Sequence, residues 1–494
     1  MRNFLLTNEK IFFNLTYIIL SILFILPIWS VKYLPMSDLP QHVAQVFMFR
    51  NFNNPFYQFS DTYYLNWFTP YFIGIVLPGL LTYIFTALVS VKILLSLVIF
   101  FTPFFLKKLI IRTQGDPWWC FAGFVIPFGF SFYWGFLPYL AAIPFGIFLI
   151  EKAISLETER SLKNILIFLL LSILTFFSHA IIYATSLMIA LSWLMTRSRW
   201  DIKGTFLRLF ILGTSFPVAV LWKQITQKNE FRFNFSAESG GSFTNRWNSL
   251  LSYITGSSED WLYHYFCLFL VSIIIIGVSY KRVDAKRFLL FIPISLLYFF
   301  LPNQLFGVYF IYQRLAFFFL IVFLMLFQCD LMSRRVFISR TLLIGALFFW
   351  SFYLFKTFLP LRSESKDFDM AAEKIPANQK VLGLIIDRTV GNSPFYLNHF
   401  PAYYQAEKGG VLGFSFAVYY NTLIRYKKNK EPVDFWTSHF IDWSAADVKH
   451  NTMESFDYLL IRLHSTPEKD YISQNFSFIV KSGDWWVYKK NGTI

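Results

Sequence analysis

In the stretch LPMSDLPQHVAQVF, residues 34–47, an aspartate and a histidine stand four positions apart, directly after the apolar run IFFNLTYIILSILFILPIWS. On a helix that spacing puts Asp38 and His42 one turn apart on one face. A carboxylate held just outside a membrane helix can take the proton of an acceptor hydroxyl as a general base. The same residues spell a helix start, with Asp38 as N-cap, Pro40 in the first turn and Gln41 at the third position. The two roles are compatible. His42 has the chemistry to bind a phosphate, shuttle a proton or ligate a metal. As an interfacial histidine it needs only a water or backbone partner. The apolar residues Val43, Val46, Phe47 and Phe49 that follow predict a helix lying on the membrane surface.

Three further residues carry chemistry. His179 stands in FFSHAI inside a long apolar run, and ionisable groups in membrane segments are functional candidates by default. The plain alternative is a polar joint between two helices. Arg314 follows FGVYFIYQ at the start of another apolar segment. Its guanidinium can hold a phosphate in a fork or snorkel to lipid headgroups, and Tyr309, Tyr312 and Gln313 give it polar neighbours for a ligand. The loop 223–263, with many Gly, Ser and Asn residues, is long enough for a lid or for a solvated connector. Its Lys223 and Arg232 can approach an anionic donor. Asp38, His42 and His179 have the donor atoms for a divalent metal, but no HxxxH or DxD run accompanies them. Cys120, Cys267 and Cys329 lie far apart in apolar segments, with neither metal-ligand nor disulfide spacing.

The elements that must position these residues are membrane helices. Of the 494 residues 56% are hydrophobic and 15% charged, against roughly a quarter charged in a soluble domain, so the chain needs a lipid bilayer as its solvent. The net charge of +15 comes in short clusters between apolar segments: KKLIIR (107–112), RSRWDIK (197–203), KRVDAKR (281–287) and SRRVFISR (333–340). That is a positive-inside distribution and argues against nucleic acid as the partner. The first apolar run lacks a small-residue cleavage site and reads as an uncleaved membrane helix. Apolar segments long enough for spans, or nearly so, fall at 11–30, 67–88, 90–106, 118–135, 137–152, 164–179, 180–196, 206–222, 264–280, 288–301, 314–330 and 341–358. With Arg2 and Lys10 in the cytoplasm, every basic cluster falls inside if 67–88, weakened by Pro70, Pro78 and Gly79, is interfacial or re-entrant. The expectation is a polytopic α-helical membrane protein with about 11 transmembrane helices. Residues 31–66, 131–137, 223–263 and 302–313 then face outward, and His179 lies at the outer end of its helix.

From 360 the composition changes. SKDFDMAAEKIPANQKVLGLIID reads as a capped helix, a turn and a strand. FDYLLIR is a buried strand, and FSFIVKSGDWWVYKK a hairpin turning at Ser482-Gly483. The expected organisation is a transmembrane domain over 1–359 and a small extracytoplasmic α/β domain over 360–494. The tail histidines His399, His439, His450 and His464 are scattered, with no nucleophile motif.

A first helix, an outer helix opening on an acidic residue, many spans and an outer C-terminal domain together resemble the GT-C superfamily of membrane glycosyltransferases. DLPQH is similar to an Asp-x-Pro-x-His element of poorly characterised bacterial members. FYWGFLPYLAAIPFGIFLI followed by FFSHAIIYA is similar to the Gly-Phe-rich helix and later histidine that accompany it. The resemblance covers the architecture of nearly the whole chain, while its sharp motifs span a few dozen residues. It implies a sugar carried on a polyprenyl phosphate and transferred outside the cytoplasm to a saccharide, lipid or protein acceptor. In a bacterium that means the inner membrane. Asp38 matches the position of the family's catalytic base. The adjacent pair of acids common in the family is Ser37-Asp38 here, which departs from a metal-binding pattern. Arg314 corresponds loosely to arginines that bind the donor phosphate, and the tail domain to one that modulates acceptor choice. Two other classes fit the same composition. A transporter or flippase of a lipid-linked saccharide needs ionisable residues deep in the bundle. A polymerase or ligase of surface polysaccharide needs a catalytic pair such as Arg232 and Arg246 in the long loop.

Overall fold

The computed structural model describes residues 2–197, 202–214, 241–256, 261–277, 285–304, 308–328, 334–388, 397–419, 421–430, 453–467 and 475–492, with 217, 220, 224, 390 and 472 singly. The chain is mostly helical, with a small sheet region toward the C-terminus. Among the described residues four helices are long and apolar enough to cross a membrane: Glu9–Ser30, Ala87–Arg112, Leu137–Ser155 and Arg334–Glu373. Shorter apolar helices include Phe72–Leu81, Leu162–Ser178, Ala180–Thr196 and Gln313–Leu326. The helix Phe72–Leu81 has 10 residues. At 1.5 Å per residue that is about 15 Å, half the hydrocarbon thickness, so this helix alone does not span.

Two compact units divide the chain. The first comprises Met1–Leu26, Leu95–Phe132 and Pro138–Tyr353, and the second Pro27–Leu94, Tyr133–Leu137 and Leu354–Ile494. Residues 27–94 and 133–137 group with the tail from Leu354 onward.

In the first unit, charged side chains gather at one end of the bundle. Arg340 donates to both carboxylate oxygens of the fully buried Asp116, at 2.8 and 3.0 Å, and to Glu9 at 2.7 Å. Arg112 reaches Glu159 at 2.8 Å and Glu151 at 3.4 Å. Arg287, fully buried, donates to the carbonyls of Thr113 at 2.9 Å and Met325 at 3.1 Å. Arginines of three of the basic clusters thus come together. The other end holds aromatic rings, with Phe130 5.1 Å from Tyr253 and 5.6 Å from Phe310.

Residues 118–135, expected as an α-helical span, are instead built from 3₁₀ turns, Pro117–Phe124 and Ile126–Phe128, and a short α-turn, Phe130–Tyr133. Hydropathy registers burial and says nothing of pitch. Pro127 removes a backbone donor in mid-segment. A 3₁₀ turn rises about 2.0 Å per residue against about 1.5 Å in an α-helix, so these turns cover more length per residue than the expected helix. Close packing holds them: Phe13 stacks on Phe121 at 4.9 Å and Phe24 on Phe124 at 5.2 Å. A Cβ on Gly123 would lie 3.1 Å from the Cα of Pro103, which keeps this position small.

Among its described residues the second unit contains seven strands: β1 (Tyr63–Leu65), β2 (Lys380–Ile385), β3 (Val411–Leu412), β4 (Ile424–Tyr426), β5 (Tyr458–Arg462), β6 (Phe476–Ser482) and β7 (Trp485–Lys490). β1 pairs antiparallel with β4, which ties residues 63–65 to the tail. The others form one sheet in the order β3-β2-β5-β7-β6, parallel across the first three and antiparallel across the last three. Leu382, Phe456, Leu459, Ile461 and Trp486 make its core. The β6–β7 turn is Gly483-Asp484, one residue later than expected, with Gly483 at φ +54°. The tail helix, Leu361–Glu373, has no side-chain cap. Its Glu364 forms a bidentate pair with buried Arg462, at 2.8 and 3.0 Å.

Candidate functional site

The second unit holds Asp38. Two backbone bonds fix it: Ser37 N–H donates to Tyr133 O and Asp38 N–H to Trp134 O, each at 2.9 Å. Gly135 makes this approach possible. It sits at φ +83°, and a Cβ there would lie 2.7 Å from the nitrogens of both Asp38 and Leu39. Only glycine combines that dihedral with that contact.

Asp38 occupies the N-cap position of the helix Leu39–Arg50, but with αR dihedrals and no side-chain cap bond. Its carboxylate is turned to His399 instead, with Oδ1 3.5 Å from Nε2. Burial pushes the His399 imidazole down to about 3. The ring is therefore neutral at pH 7, and its Nε2–H tautomer offers a donor to the carboxylate without forming an ion pair.

His42 lies one turn on, with 3% exposure. It does not border a membrane surface as expected. The helix Leu39–Arg50 is buried along nearly its whole length, and its Gln41 and Gln45 are buried too. It packs against the helices Phe72–Leu81 and Ala402–Lys408. Its polar side bonds to protein: Gln41 Nε2 donates to Phe414 O at 3.2 Å, and its Oε1 accepts from Phe416 N–H at 3.0 Å. Gln41 thus pins the 414–416 segment and serves no capping box. Phe416 sits edge-on to both His42 at 5.5 Å and His399 at 5.4 Å, while Phe414 stacks on His399 at 5.2 Å. A cavity of about 20 Å³ beside Gln41, Asn398, His399 and Phe414 has room for one water. The arrangement is an oriented carboxylate with a neutral imidazole behind it, suited to accepting a proton.

His179, Arg314 and Tyr312 belong to the first unit and make a second cluster. His179 is the single extended residue between the helices Leu162–Ser178 and Ala180–Arg197. Arg314 Nη1 approaches its Nε2 at 3.2 Å, and the N–H of Ile181 approaches its Nδ1 at 3.3 Å. A neutral imidazole accepts through one nitrogen only, so the two donors compete and the charged one is the stronger. Arg314 also donates to Tyr309 O at 3.0 Å, and Tyr139 OH donates to Arg314 O. Tyr312 packs beneath Arg246, whose guanidinium lies 4.0 Å from the ring centroid and donates to the carbonyls of Tyr298 and Leu301. Arg246 is on the helix Phe243–Thr255, within the segment 223–263 expected as a long loop. Lys223 and Arg232 lie outside the described residues.

The structure thus joins His179 to Arg314, and Asp38 to His399. The notional metal set Asp38, His42 and His179 is divided between the units. Among the described residues no group of three or more His, Cys, Asp or Glu side chains converges. His399 was not distinguishable in sequence from the other tail histidines. Its proximity to Asp38 depends on the long-range grouping of residues 27–94 with the tail, for which no local pattern exists. No family model matches the chain, and no curated protein matches it.

Proposed function

We propose that this chain is a membrane glycosyltransferase that moves a sugar from a polyprenyl-phosphate donor to an acceptor hydroxyl. The observation that supports it is the carboxylate of Asp38, which makes no side-chain cap bond and lies 3.5 Å from a buried, neutral His399. In the proposed step the acceptor oxygen forms a bond to the anomeric carbon as its proton passes to Asp38. The anomeric carbon–oxygen bond to the lipid phosphate breaks, and its electron pair stays on the phosphate. His399 Nε2–H holds the carboxylate in orientation, and His42 stands one turn away as a phosphate contact. The clustering of Arg112, Arg287 and Arg340 at one end of the first unit supports assigning that end to the cytoplasm. The C-terminal region then lies on the extracytoplasmic side of a cell membrane, in keeping with a donor that needs no nucleotide.

The test is Asp38→Asn and Asp38→Glu in membranes supplied with a panel of polyprenyl-phosphate hexoses, following release of polyprenyl phosphate. Loss of a general base costs about 10²–10⁴ in rate, so Asn abolishes turnover while Glu retains part. Full activity in a normally folded Asp38→Asn protein would sink the assignment.

A further inference from the structure

A second site in the same unit has no part in that chemistry. A cavity of about 820 Å³ opens between the end of the first helix (Trp29–Lys32), the far side of the helix Leu39–Arg50, the start of Ala87–Arg112 and the helix Ala402–Lys408. Its charged lining is Lys32, Arg50 and Lys92 against Glu407. Lys92 is only 5% exposed, and its ammonium donates to Val31 O and lies 5.8 Å from the Trp29 ring centroid. Arg50 lies 4.1 Å from the Tyr83 ring centroid. Lys32 is shared between Asp369 at 2.8 Å and Glu407 at 3.1 Å. With Asp369 counted, three cations face two carboxylates, leaving one net positive charge. The start of the helix Ala87–Arg112, where Thr86–Val89 line the cavity, adds the positive end of a helix dipole.

Trp29 and Phe85 of the lining are exposed, and the 80–85 turn that contributes Thr82 and Phe85 is apolar: Ile84 is 78% exposed and Leu80 56%, and Tyr83 is exposed too. Free phosphate would fill a small part of the volume and leave these surfaces bare. A neighbouring cavity of about 500 Å³ presents Lys32, Arg362, Lys366 and Lys408 against Asp369, Glu373 and Glu407. Its net charge is also +1, so charge does not separate the two cavities; its lining does, with Met370 as its exposed large apolar side chain and no exposed aromatic ring.

We propose that the larger cavity binds the headgroup of an anionic phosphodiester lipid. Arg50 and Lys92 take the phosphate, and the acyl chains lie along Trp29 and the 80–85 turn. One net positive charge matches one phosphodiester anion, and buried cations beside exposed apolar residues match an amphiphile. The site does not rest on the transferase reading, and binding is measured without turnover.

Native mass spectrometry of the full chain in detergent tests it, with dioleoyl phosphatidylglycerol, dioleoylglycerol and inorganic phosphate as probes. Phosphatidylglycerol is expected to bind at least tenfold tighter than dioleoylglycerol, and inorganic phosphate not to displace it at matched concentration. A charge-assisted bond is worth a factor of about ten or more, so Arg50→Gln and Lys92→Gln should each weaken phosphatidylglycerol about tenfold. Arg50 lies at the protein surface, so Arg50→Gln stays informative if Lys92→Gln fails to fold. Equal binding of the two lipids overturns the site, as does unchanged binding in Arg50→Gln. Displacement by inorganic phosphate at matched concentration overturns the lipid assignment.

Discussion

The buried His399 makes the second unit sensitive to acid in a calculable way. In the unfolded chain a histidine titrates near 6.5; in the folded protein burial brings His399 down to about 3. Between those values the unfolded state binds more protons than the folded one, so stability rises with pH and falls as acid is added. The contribution is whole above about pH 6.5 and lost progressively down to about pH 3. From pH 7 to pH 5 one such group removes about 2 kcal/mol, with a ceiling of about 5 kcal/mol at pH 3. The perturbation is His399→Phe, which keeps a ring against Phe414 and Phe416 and removes the titration. Unfolding of wild type and variant is followed in mild detergent from pH 7 to pH 5. Wild type should lose about 2 kcal/mol more than the variant across this interval. Stopping at pH 5 keeps most carboxylates ionised, so His399 dominates the difference. Parallel pH dependences would falsify the neutral state of His399 and the donor role given to its Nε2–H.

Two other substitutions test the framework. Gly135→Ala forces a Cβ to within 2.7 Å of the Asp38 and Leu39 nitrogens at φ +83°. It should cost about 1–3 kcal/mol in unfolding and, by displacing Asp38, about 10² in turnover; turnover at the wild-type level would contradict the anchoring role of the 133–135 turn. Asp116→Asn breaks the bidentate pair with Arg340 at a fully buried position. It should destabilise by about 3 kcal/mol or more, measured by thermal unfolding, and a change below about 0.5 kcal/mol would show that Glu9 alone holds Arg340.

Much of the helical organisation was legible because apolar runs and their basic flanks are local. The expected segments at 137–152, 164–179, 180–196 and 341–358 correspond to the helices Leu137–Ser155, Leu162–Ser178, Ala180–Arg197 and Arg334–Phe358. The strands near 380, 458 and 476–490 were equally readable from alternation and a Gly turn. What failed was whatever depended on partners. The polar residues of Leu39–Arg50 mimic the wet face of a surface helix, yet Gln41 spends both its polar atoms on the backbone at 414–416. The 118–135 run has the hydropathy of a span, but Pro127 and the close approach to Pro103 set a 3₁₀ path. His399 carries no local sign of its role because Asp38, which gives it one, arrives from the opposite end of the chain.

The question of cap or base turns on a donor count around Asp38. A capping carboxylate is needed where first-turn N–H groups lack acceptors. Here each is accounted for. Leu39 N–H donates to Met36 O at 3.3 Å; Gln41 and His42 donate to Asp38 O at 3.1 and 3.3 Å. Residue 40 is proline and has no N–H to satisfy. Asp38 and Ser37 themselves donate to the 133–134 carbonyls. Backbone acceptors therefore meet the demand that a cap would meet, and the carboxylate is left to face His399. The consequence separates the two roles. A capping aspartate replaced by Ala costs about 1 kcal/mol. Asp38→Asn should therefore leave the unfolding midpoint nearly unchanged while turnover collapses, and a stability loss as large as the activity loss would return Asp38 to a structural role.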